Sequence, residues 1–337
     1  MSLSRRICNA WIAACAVGTA AGMTVCLAAA PTEWVPPSTS ASTSASTLTS
    51  SEAAQTGSPP LLATYQRMSE KLAHNAFGRP LQLDSAETAD GLKGDVYAVV
   101  DHPIADVSAT LKSASHWCEL LLLHINNRRC KTTGETTGET TGATAGARTL
   151  TLSVVRAYDQ APESAFELPF AYRVVHSEAD HLEVDMSAPS GPLGTSNYRV
   201  SLEAVAIDEH KTFVHFSYSY DHNMMARLAT QAYLATFGSD KVGFTIVGKG
   251  SGSEPEYIRG TRGLVERNAM RYFLTLDAYL AERAAPPGQQ FERRLHHWYN
   301  GAERYARQLH EVDIETYLAL KRDDRERTRS RQGTGDR

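Results

Sequence analysis

The stretch TSNYRVSLEAVAIDEHKTFVHFSYSYDH, residues 195–222, alternates apolar and polar side chains along two successive segments. The apolar positions are Tyr198, Val200, Leu202 and Ala204 in the first segment, and Val214, Phe216, Tyr218 and Tyr220 in the second. Successive side chains of a β-strand point to opposite faces, so this period of two predicts strands. The stretch therefore predicts two neighbouring parts of a sheet with one buried and one solvated face.

The same alternation recurs in the segments that precede this stretch. It is present in residues 94–100, 150–154, 170–174 and 182–186. Six successive segments of period two are typical of an antiparallel sheet with one wetter face.

Helical spacing flanks the strand series on both sides. The sequence predicts short helices from Pro103 to Leu111 and from Ser115 to Leu123, and a third from Met224 to Phe237 that Gly238 ends. A longer helix is predicted from Gly263 to Arg283, with one apolar stripe made of Val265, Ala269, Tyr272, Phe273, Leu276 and Leu280. After Pro286-Pro287-Gly288, a last amphipathic helix is predicted over residues 291–320.

This order of elements resembles the START-like superfamily, also called SRPBCC, whose α+β architecture is the helix-grip fold. The resemblance rests on GDVYAVVDHPIADVSATLKSASHWCELLLLH (94–124), on the strand series and on GTRGLVERNAMRYFLTLDAYL (260–280). More narrowly, the chain resembles uncharacterised exported bacterial proteins, through Trp117-Cys118, Leu123 to Asn126, Cys130 and Val265 to Leu274. The resemblance covers residues 80–283 and implies a curved antiparallel sheet around a long C-terminal helix, here followed by an extra helix.

In that superfamily the sheet and the helix enclose an apolar cavity. The resemblance implies a cavity wall made of Tyr172, Met186, Tyr198, Phe216, Tyr218, Tyr220, Tyr272 and Phe273. Such a wall suits an amphipathic ligand of lipid or polycyclic type. The alternative is that these side chains fill a solid core.

Four polar residues lie beside this predicted cavity. Asn268 borders the apolar stripe, and with Arg271 it either orients a ligand head group or hydrogen-bonds the helix to the sheet. His124 is either a core histidine or a polar group at the cavity mouth. Glu266 is expected to form an ordinary surface ion pair with Arg262, four residues before it.

Residues 1–30 have the pattern of a secretory signal peptide. Arg5 and Arg6 precede an apolar stretch, and the small residues of Ala28-Ala29-Ala30 predict cleavage near Ala30 and an exported, periplasmic protein. Cys15 follows a lipobox-like triplet, but the apolar stretch continues past it, which disfavours a lipoprotein. Residues 31–60 are rich in Ser, Thr and Pro and predict a disordered linker.

The remaining chain divides into a START-like domain over residues 61–285, the added helix over 286–320 and a disordered charged tail over 321–337. Within the domain, the low-complexity run 132–147 predicts a surface loop between two strands. Cleavage would leave Cys118 and Cys130, which form either a disulfide or two buried thiols.

Composition and motifs argue against several function classes. The formal net charge of −4 disfavours nucleic acid as a partner. Residues 243–249 match the start of a P-loop, but Gly250 stands where a hydroxyl is needed, so no nucleotide is expected. We find no catalytic signature and expect no cofactor and no metal. His296, His297 and His310 are interpreted as surface residues. Residues 176–185 are interpreted as part of the solvated face of the sheet.

Three functions remain open at this point. The first is a carrier of a hydrophobic or amphipathic ligand without chemistry of its own. The second is a cyclase- or hydrolase-type enzyme that uses the same cavity. The third is a cell-envelope interaction protein that docks a partner through residues 291–320. An exposed apolar stripe on those residues would favour the third.

Overall fold

The computed structural model describes residues 60–134, 148–236, 238–250 and 254–335, with side chains up to residue 329. The predicted signal peptide and the linker up to residue 59 lie outside these ranges. The described part of the chain begins with a helix at Pro60.

In the described residues, eight strands form one antiparallel sheet, and two short strands form a separate ribbon. The strands are β1 (Leu81–Glu87), β2 (Gly91–Val100), β3 (Asn127–Thr133), β4 (Arg148–Val154), β5 (Phe166–Ser177), β6 (His181–Ser190), β7 (Thr195–Ala206), β8 (Thr212–His222), β9 (Ile246–Lys249) and β10 (Pro255–Tyr257). The order in the sheet is β1-β2-β8-β7-β6-β5-β4-β3, so that the last long strand returns to pair with β2. All six alternating segments lie in strands of this sheet, as predicted.

Eight helices accompany the sheet in the described residues. They are α1 (Pro60–Ala73), α2 (Ile104–Leu111), α3 (Ala114–Leu121), α4 (Met224–Ala235), α5 (Gly260–Ala281), α6 (Pro287–Glu303), α7 (Ala306–Leu309) and α8 (Ile314–Gly335). No helix in these ranges has an apolar stretch long enough to cross a membrane.

The long helix α5 packs along the buried face of the sheet. It approaches β2 so closely that a Cβ atom added at Gly94 would lie 2.9 Å from the Cβ of Ala269. Only glycine permits this contact without movement of strand or helix. The strand order together with this central helix is the helix-grip arrangement, so the predicted fold class is confirmed.

The helix α1 was not predicted, and it covers part of the opposite sheet face. Its buried side chains Leu61 and Leu72 form a second apolar cluster with Val205 and Phe213. The ring of Tyr65 lies 5.2 Å from that of Phe213. Phe213 and Val205 lie on the face that the alternation marks as wetter, and α1 is what shields them from water.

Residues 286–337 differ most from the prediction. The predicted single helix over 291–320 is α6, α7 and the first part of α8. The predicted disordered tail from residue 321 is instead a continuation of α8 to Gly335. It is anchored because Lys321 and Asp324 are buried, and Asp324 accepts a hydrogen bond from Arg128 at 2.8 Å.

A disulfide joins Cys118 of α3 to Cys130 of β3. The two alternatives for this pair are thereby decided in favour of the bond. The strands β3 and β4 pair across the predicted low-complexity loop, of which residues 135–147 lie outside the described ranges.

Candidate ligand cavity

A small cavity lies between the buried face of the sheet and α5. Its volume is about 70 Å³, and the lining side chains are Leu121, Leu152, Val154, Leu168, Phe170, Met186, Pro192, Tyr198, Val200, Tyr218 and Tyr272. Alternate positions of β4 to β8 supply most of this wall, since side chains two residues apart share a face. The wall is apolar apart from three phenol hydroxyls.

The three tyrosines come from three elements and contact one another. The rings of Tyr218 and Tyr272 lie 5.3 Å apart, and those of Tyr198 and Tyr218 lie 6.4 Å apart. Tyr198 donates a hydrogen bond to Thr195 Oγ1 at 2.9 Å. Among the described residues, we find no hydrogen bond to the hydroxyl of Tyr218.

Burial keeps these phenols protonated. It raises the pKa of Tyr218 well above the ordinary value for tyrosine, and the neighbouring tyrosines raise it further. Burial also raises the pKa of Tyr198 and of Tyr272. At neutral pH the hydroxyl of Tyr218 can therefore donate to an acceptor on a ligand, whereas that of Tyr198 already donates to Thr195.

Four of the predicted wall residues line the cavity, and four do not. Met186, Tyr198, Tyr218 and Tyr272 are in the wall. Tyr172 instead donates a hydrogen bond to the carbonyl of Leu111, Tyr220 stacks on Tyr198, Phe216 packs against Tyr272, and Phe273 lies under the guanidinium of Arg79. These four side chains fill the core, which agrees with the alternative that such aromatic residues pack into a solid core.

The predicted polar residues lie outside the cavity. Arg271 donates hydrogen bonds to Glu311 Oε1 at 2.6 Å and to the carbonyl of Leu309, on the side of α5 that faces away from the sheet. Asn268 is half-buried and does not line the cavity. A role for either side chain at a ligand head group in this cavity has no support in the geometry.

His124 is a buried residue behind the cavity wall. Its ring stacks on Tyr272 at 4.6 Å, and Nδ1 accepts a hydrogen bond from the Asn126 N–H. Burial lowers the pKa of His124 well below its ordinary value, with Arg271 and Lys321 acting in the same direction. The imidazole is therefore neutral, and because Nδ1 accepts, its proton lies on Nε2.

Sequence reasoning missed several wall residues. Leu152, Val154 and Phe170 lie on apolar faces that the alternation identifies, but the wall was assigned from the resemblance and from aromatic residues. Pro192 lies just after β6, and Leu121 is the last residue of α3. Their positions therefore depend on how the loops cross the end of the sheet. No local pattern marks them.

Metal ligands do not gather in the described ranges, where no group of three His, Cys, Asp or Glu residues could hold an ion. In the predicted wet face, His181 contacts Glu203 at 3.1 Å and His176 contacts Glu183 at 3.5 Å. His297 contacts Glu282, and His310 contacts Glu303. These contacts lie at different places in the fold and do not converge on one site.

No family model and no curated protein matches the chain. Several solved structures resemble it. A truncated norcoclaurine synthase from Thalictrum flavum is 14% identical, with 46% of this chain and 89% of that chain covered and a TM-score of 0.30. The ZhuI aromatase/cyclase from Streptomyces sp. R1128 is 11% identical, with 42% of this chain and 69% of that chain covered and a TM-score of 0.27.

A START superfamily protein from Mycobacterium smegmatis is 9% identical, with 45% of this chain and 93% of that chain covered and a TM-score of 0.28. Likenesses of this size carry no argument about function. The strand order and the placement of α5 define the class, and the chain has a START-like, helix-grip fold.

Proposed function

We propose that this chain is an exported START-like protein that binds a small amphipathic molecule in the cavity between the sheet and α5. The observation that carries the proposal is the side chain of Tyr218. It is buried and lines the cavity, yet its hydroxyl has no hydrogen-bond partner among the described residues. The hydroxyl oxygen itself is not fully buried, so a ligand or water in the cavity can accept a hydrogen bond from it.

The cavity volume limits the ligand. A cavity of about 150 Å³ is enough for benzene. The 70 Å³ here accommodates a smaller group in the conformation described. A ring or chain with a carbonyl or hydroxyl acceptor fits if side chains at the mouth move, whereas a long lipid chain needs a larger opening of the domain.

Binding without reaction is the function that the wall favours. Its side chains are apolar except for phenols whose pKa is raised by burial. For a cyclase- or hydrolase-type reaction, neither His124, whose ring stacks on Tyr272, nor Asn268 lines the cavity, so the phenols would be the only acid–base groups in its wall. The docking alternative loses its basis, because no apolar side chain larger than alanine in residues 291–320 is exposed.

Export is supported by two independent features. One is the signal-peptide pattern of residues 1–30. The other is the disulfide between Cys118 and Cys130, since such bonds form and persist in oxidising compartments.

The binding proposal is tested with a series of aryl ketones, which combine an acceptor with an apolar body. Acetophenone and longer homologues are titrated into protein labelled at the tyrosine rings, and the ring resonances are followed by NMR. We expect shifts at Tyr198, Tyr218 and Tyr272. Tyr218→Phe should weaken binding about fivefold, because one neutral hydrogen bond is worth about 1 kcal/mol.

Tyr220→Phe is the matched control, since Tyr220 is buried next to Tyr198 but does not line the cavity. It should leave the affinity within about twofold, a difference too small for a lost hydrogen bond. Native mass spectrometry of protein from the periplasm is expected to show a bound small molecule. Absence of both a copurified molecule and any ketone-induced shift at millimolar concentration would refute the proposal.

A further inference from the structure

A second recess lies beside the disulfide, between α3, α6, α8 and the end of β3. This recess, which we call the basic groove, has a volume of about 400 Å³. That volume is within the range of small-molecule sites. Its lining residues are Ser115, Cys118, Glu119, Leu122, Leu123, Cys130, Lys131, Thr132, Pro287, Gln290, Phe291, Arg294, Lys321, Asp324, Arg325, Thr328 and Arg329.

The groove carries an excess of positive charge. Five basic and two acidic side chains line it, whereas the whole chain has a formal net charge of −4. Asp324 is already paired with Arg128 and Lys321, and Glu119 is paired with Arg294. In the described part of the chain, neither Arg325 nor Arg329 forms an ion pair.

The position of Lys321, Arg325 and Arg329 follows from their spacing. Residues four apart on a helix lie on one face, so these three cations form a row along α8. The sequence alone suggested a solvated, frayed end, because the basic residues there alternate with acids. In the helix, the acids Asp323 and Glu326 are off this row.

Arg294, on α6, lines the groove together with the row of cations on α8. Its side chain is 8% exposed, its guanidinium carbon lies 3.6 Å from the ring centre of Tyr279, and it donates to Glu119 and to Gln290. Its Nε has no partner among the described residues. This N–H is shielded from the groove, but a nearby anion would still stabilise the positive charge of the guanidinium.

The electrostatics of Arg325 point in the same direction. Burial lowers the pKa of this guanidinium, and the positive charges of Arg329 and Arg294 lower it further, against the acids Glu292 and Glu119. The cations are therefore close enough to repel one another. A bound anion would relieve this repulsion.

Part of the remaining lining is apolar. Leu122, Leu123 and Phe291 lie beside the sulfur atoms of the disulfide, and Arg325 lies 4.0 Å from the ring centre of Phe291. A ligand that fills the groove would thus meet cations at one part and hydrocarbon at another.

We propose that the basic groove binds an amphipathic anion, namely a carboxylate or phosphate group attached to an apolar chain or ring. Arg325 and Arg329 contact the anionic group, Arg294 orients it from the groove floor, and Leu122 and Phe291 contact the apolar part. This site is separate from the tyrosine cavity and does not depend on binding there.

The test uses octyl phosphate as the probe, with inorganic phosphate and octanol as its two halves. Isothermal titration calorimetry on the mature protein is expected to show binding of octyl phosphate at least about tenfold tighter than either half, because each half makes only part of the contacts. The double variant Arg325→Gln/Arg329→Gln should lose at least about tenfold in affinity, since charge-assisted contacts are lost.

The matched control is Arg322→Gln/Arg327→Gln. It removes the same charge from the same helix, at exposed residues that pair with Glu292 and Asp323 outside the groove. We expect its affinity for octyl phosphate to change less than about twofold, because neither residue lines the groove and exposed charges are screened by salt. Equal losses in both double variants, or equally tight binding of inorganic phosphate, would overturn the proposal.

Two further measurements complete the test. Vesicles of phosphatidylglycerol in place of octyl phosphate distinguish a lipid head group from a soluble anion as the source of the ligand. Binding to either that requires Arg325 and Arg329 supports the proposal, and binding to neither overturns it. If the variant does not fold, octyl phosphate must still shift the Nε–H resonances of Arg294 and Arg325 in the unchanged protein, and their constancy would refute the site.

Discussion

At the scale of single residues, Glu266 shows how burial changes the role of a charge. Its side chain is fully buried, and it accepts hydrogen bonds from Ser85, from the Thr245 hydroxyl and from the backbone N–H groups of Phe244 and Thr245. The expected surface ion pair with Arg262 is absent from the ion pairs of the described residues. Arg262 instead donates to Ser85. The carboxylate thus fixes the segment after α4 to α5.

We expect Glu266→Gln to destabilise the domain by about 2 kcal/mol or more, because hydrogen bonds to a buried charge are lost and an amide NH₂ faces N–H donors. Urea unfolding followed by circular dichroism measures the change. Glu256→Gln, at an exposed position of β10 in the same region, should change the free energy of unfolding by less than about 0.5 kcal/mol. Similar losses in the two variants would contradict the assigned role of Glu266.

His297 belongs to a small charged group beside α5. Its ring contacts Asp277 at 3.8 Å and Glu282 at 3.3 Å, and Asp277 also pairs with Arg79 at 2.7 Å. The carboxylate of Asp277, with that of Glu282 acting in the same direction, raises the pKa of His297 against the effect of burial. Burial raises the pKa of Asp277, but Arg79 and His297 together lower it below its ordinary value.

A raised histidine pKa makes stability depend on pH in one direction. The contribution is fully present below the unfolded-state pKa of about 6.5 and is lost as pH rises through the folded-state value. We therefore expect the free energy of unfolding to fall between pH 6 and pH 8.5. The effect should stay under about 1 kcal/mol, because more than a third of the ring is exposed.

His297→Gln should flatten this pH dependence, measured as urea midpoints at both pH values. His296→Gln, the exposed neighbouring residue, should retain it. A pH dependence that is unchanged in His297→Gln would contradict the assignment of the effect to this ring.

At the scale of elements, the sheet and α5 could be predicted from the sequence, and the helices α1 and α8 could not. Period-two segments and the apolar stripe depend on which side chains meet the core, and that property is readable in the residues themselves. Helix α8 differs because buried charges anchor it in addition to the apolar contacts of Tyr317 and Leu318. Burial lowers the pKa of Lys321 to about 8, against the opposing effect of Asp324. The ion pair depends on Arg128, which is far away in sequence.

The anchoring of α8 predicts a large loss of stability when one carboxylate oxygen of Asp324 is replaced by an amide nitrogen. Asp324→Asn leaves Arg128 and Lys321 buried without their carboxylate, and removing one partner of a buried ion pair costs about 3–5 kcal/mol. We expect a corresponding loss of stability in thermal or urea unfolding.

Asp323→Asn is the control at the adjacent position, where the side chain is half exposed and pairs with Arg327 on the surface. Such pairs are worth at most about 1 kcal/mol. If Asp324→Asn proves as mild as Asp323→Asn, α8 is held by its apolar contacts, such as those of Tyr317, and not by the buried charges.

The candidate site could be predicted only in part, and packing is the reason. The alternation identifies which side chains face inward, but a cavity is the volume that those side chains leave unfilled. Phe216 and Phe273 are fully buried and make close contacts, and so they occupy the space that the resemblance assigns to a ligand. The difference between a wall and a filled core depends on a few ångströms of helix position, which no sequence period records.

At the scale of the whole molecule, the proposal includes removal of residues 1–30 during export. In a bacterial host, we expect the periplasmic protein to begin near Pro31, as determined by N-terminal sequencing and intact mass. Signal peptidase requires small residues at the positions three before and directly before the cut, here Ala28 and Ala30. Ala30→Tyr should therefore leave an uncleaved precursor in the membrane fraction.

Ala29→Tyr is the matched change, because the intervening position accepts larger side chains, and it should be processed normally. Two outcomes would contradict the proposal. One is a cytoplasmic protein that keeps its first residues. The other is a chain that begins at Cys15 with the added mass of acyl groups, which would make the protein a lipoprotein. The disulfide supplies a check on the same sample: Cys118 and Cys130 should resist alkylation until a reductant is added, since the bond between them leaves no free thiol.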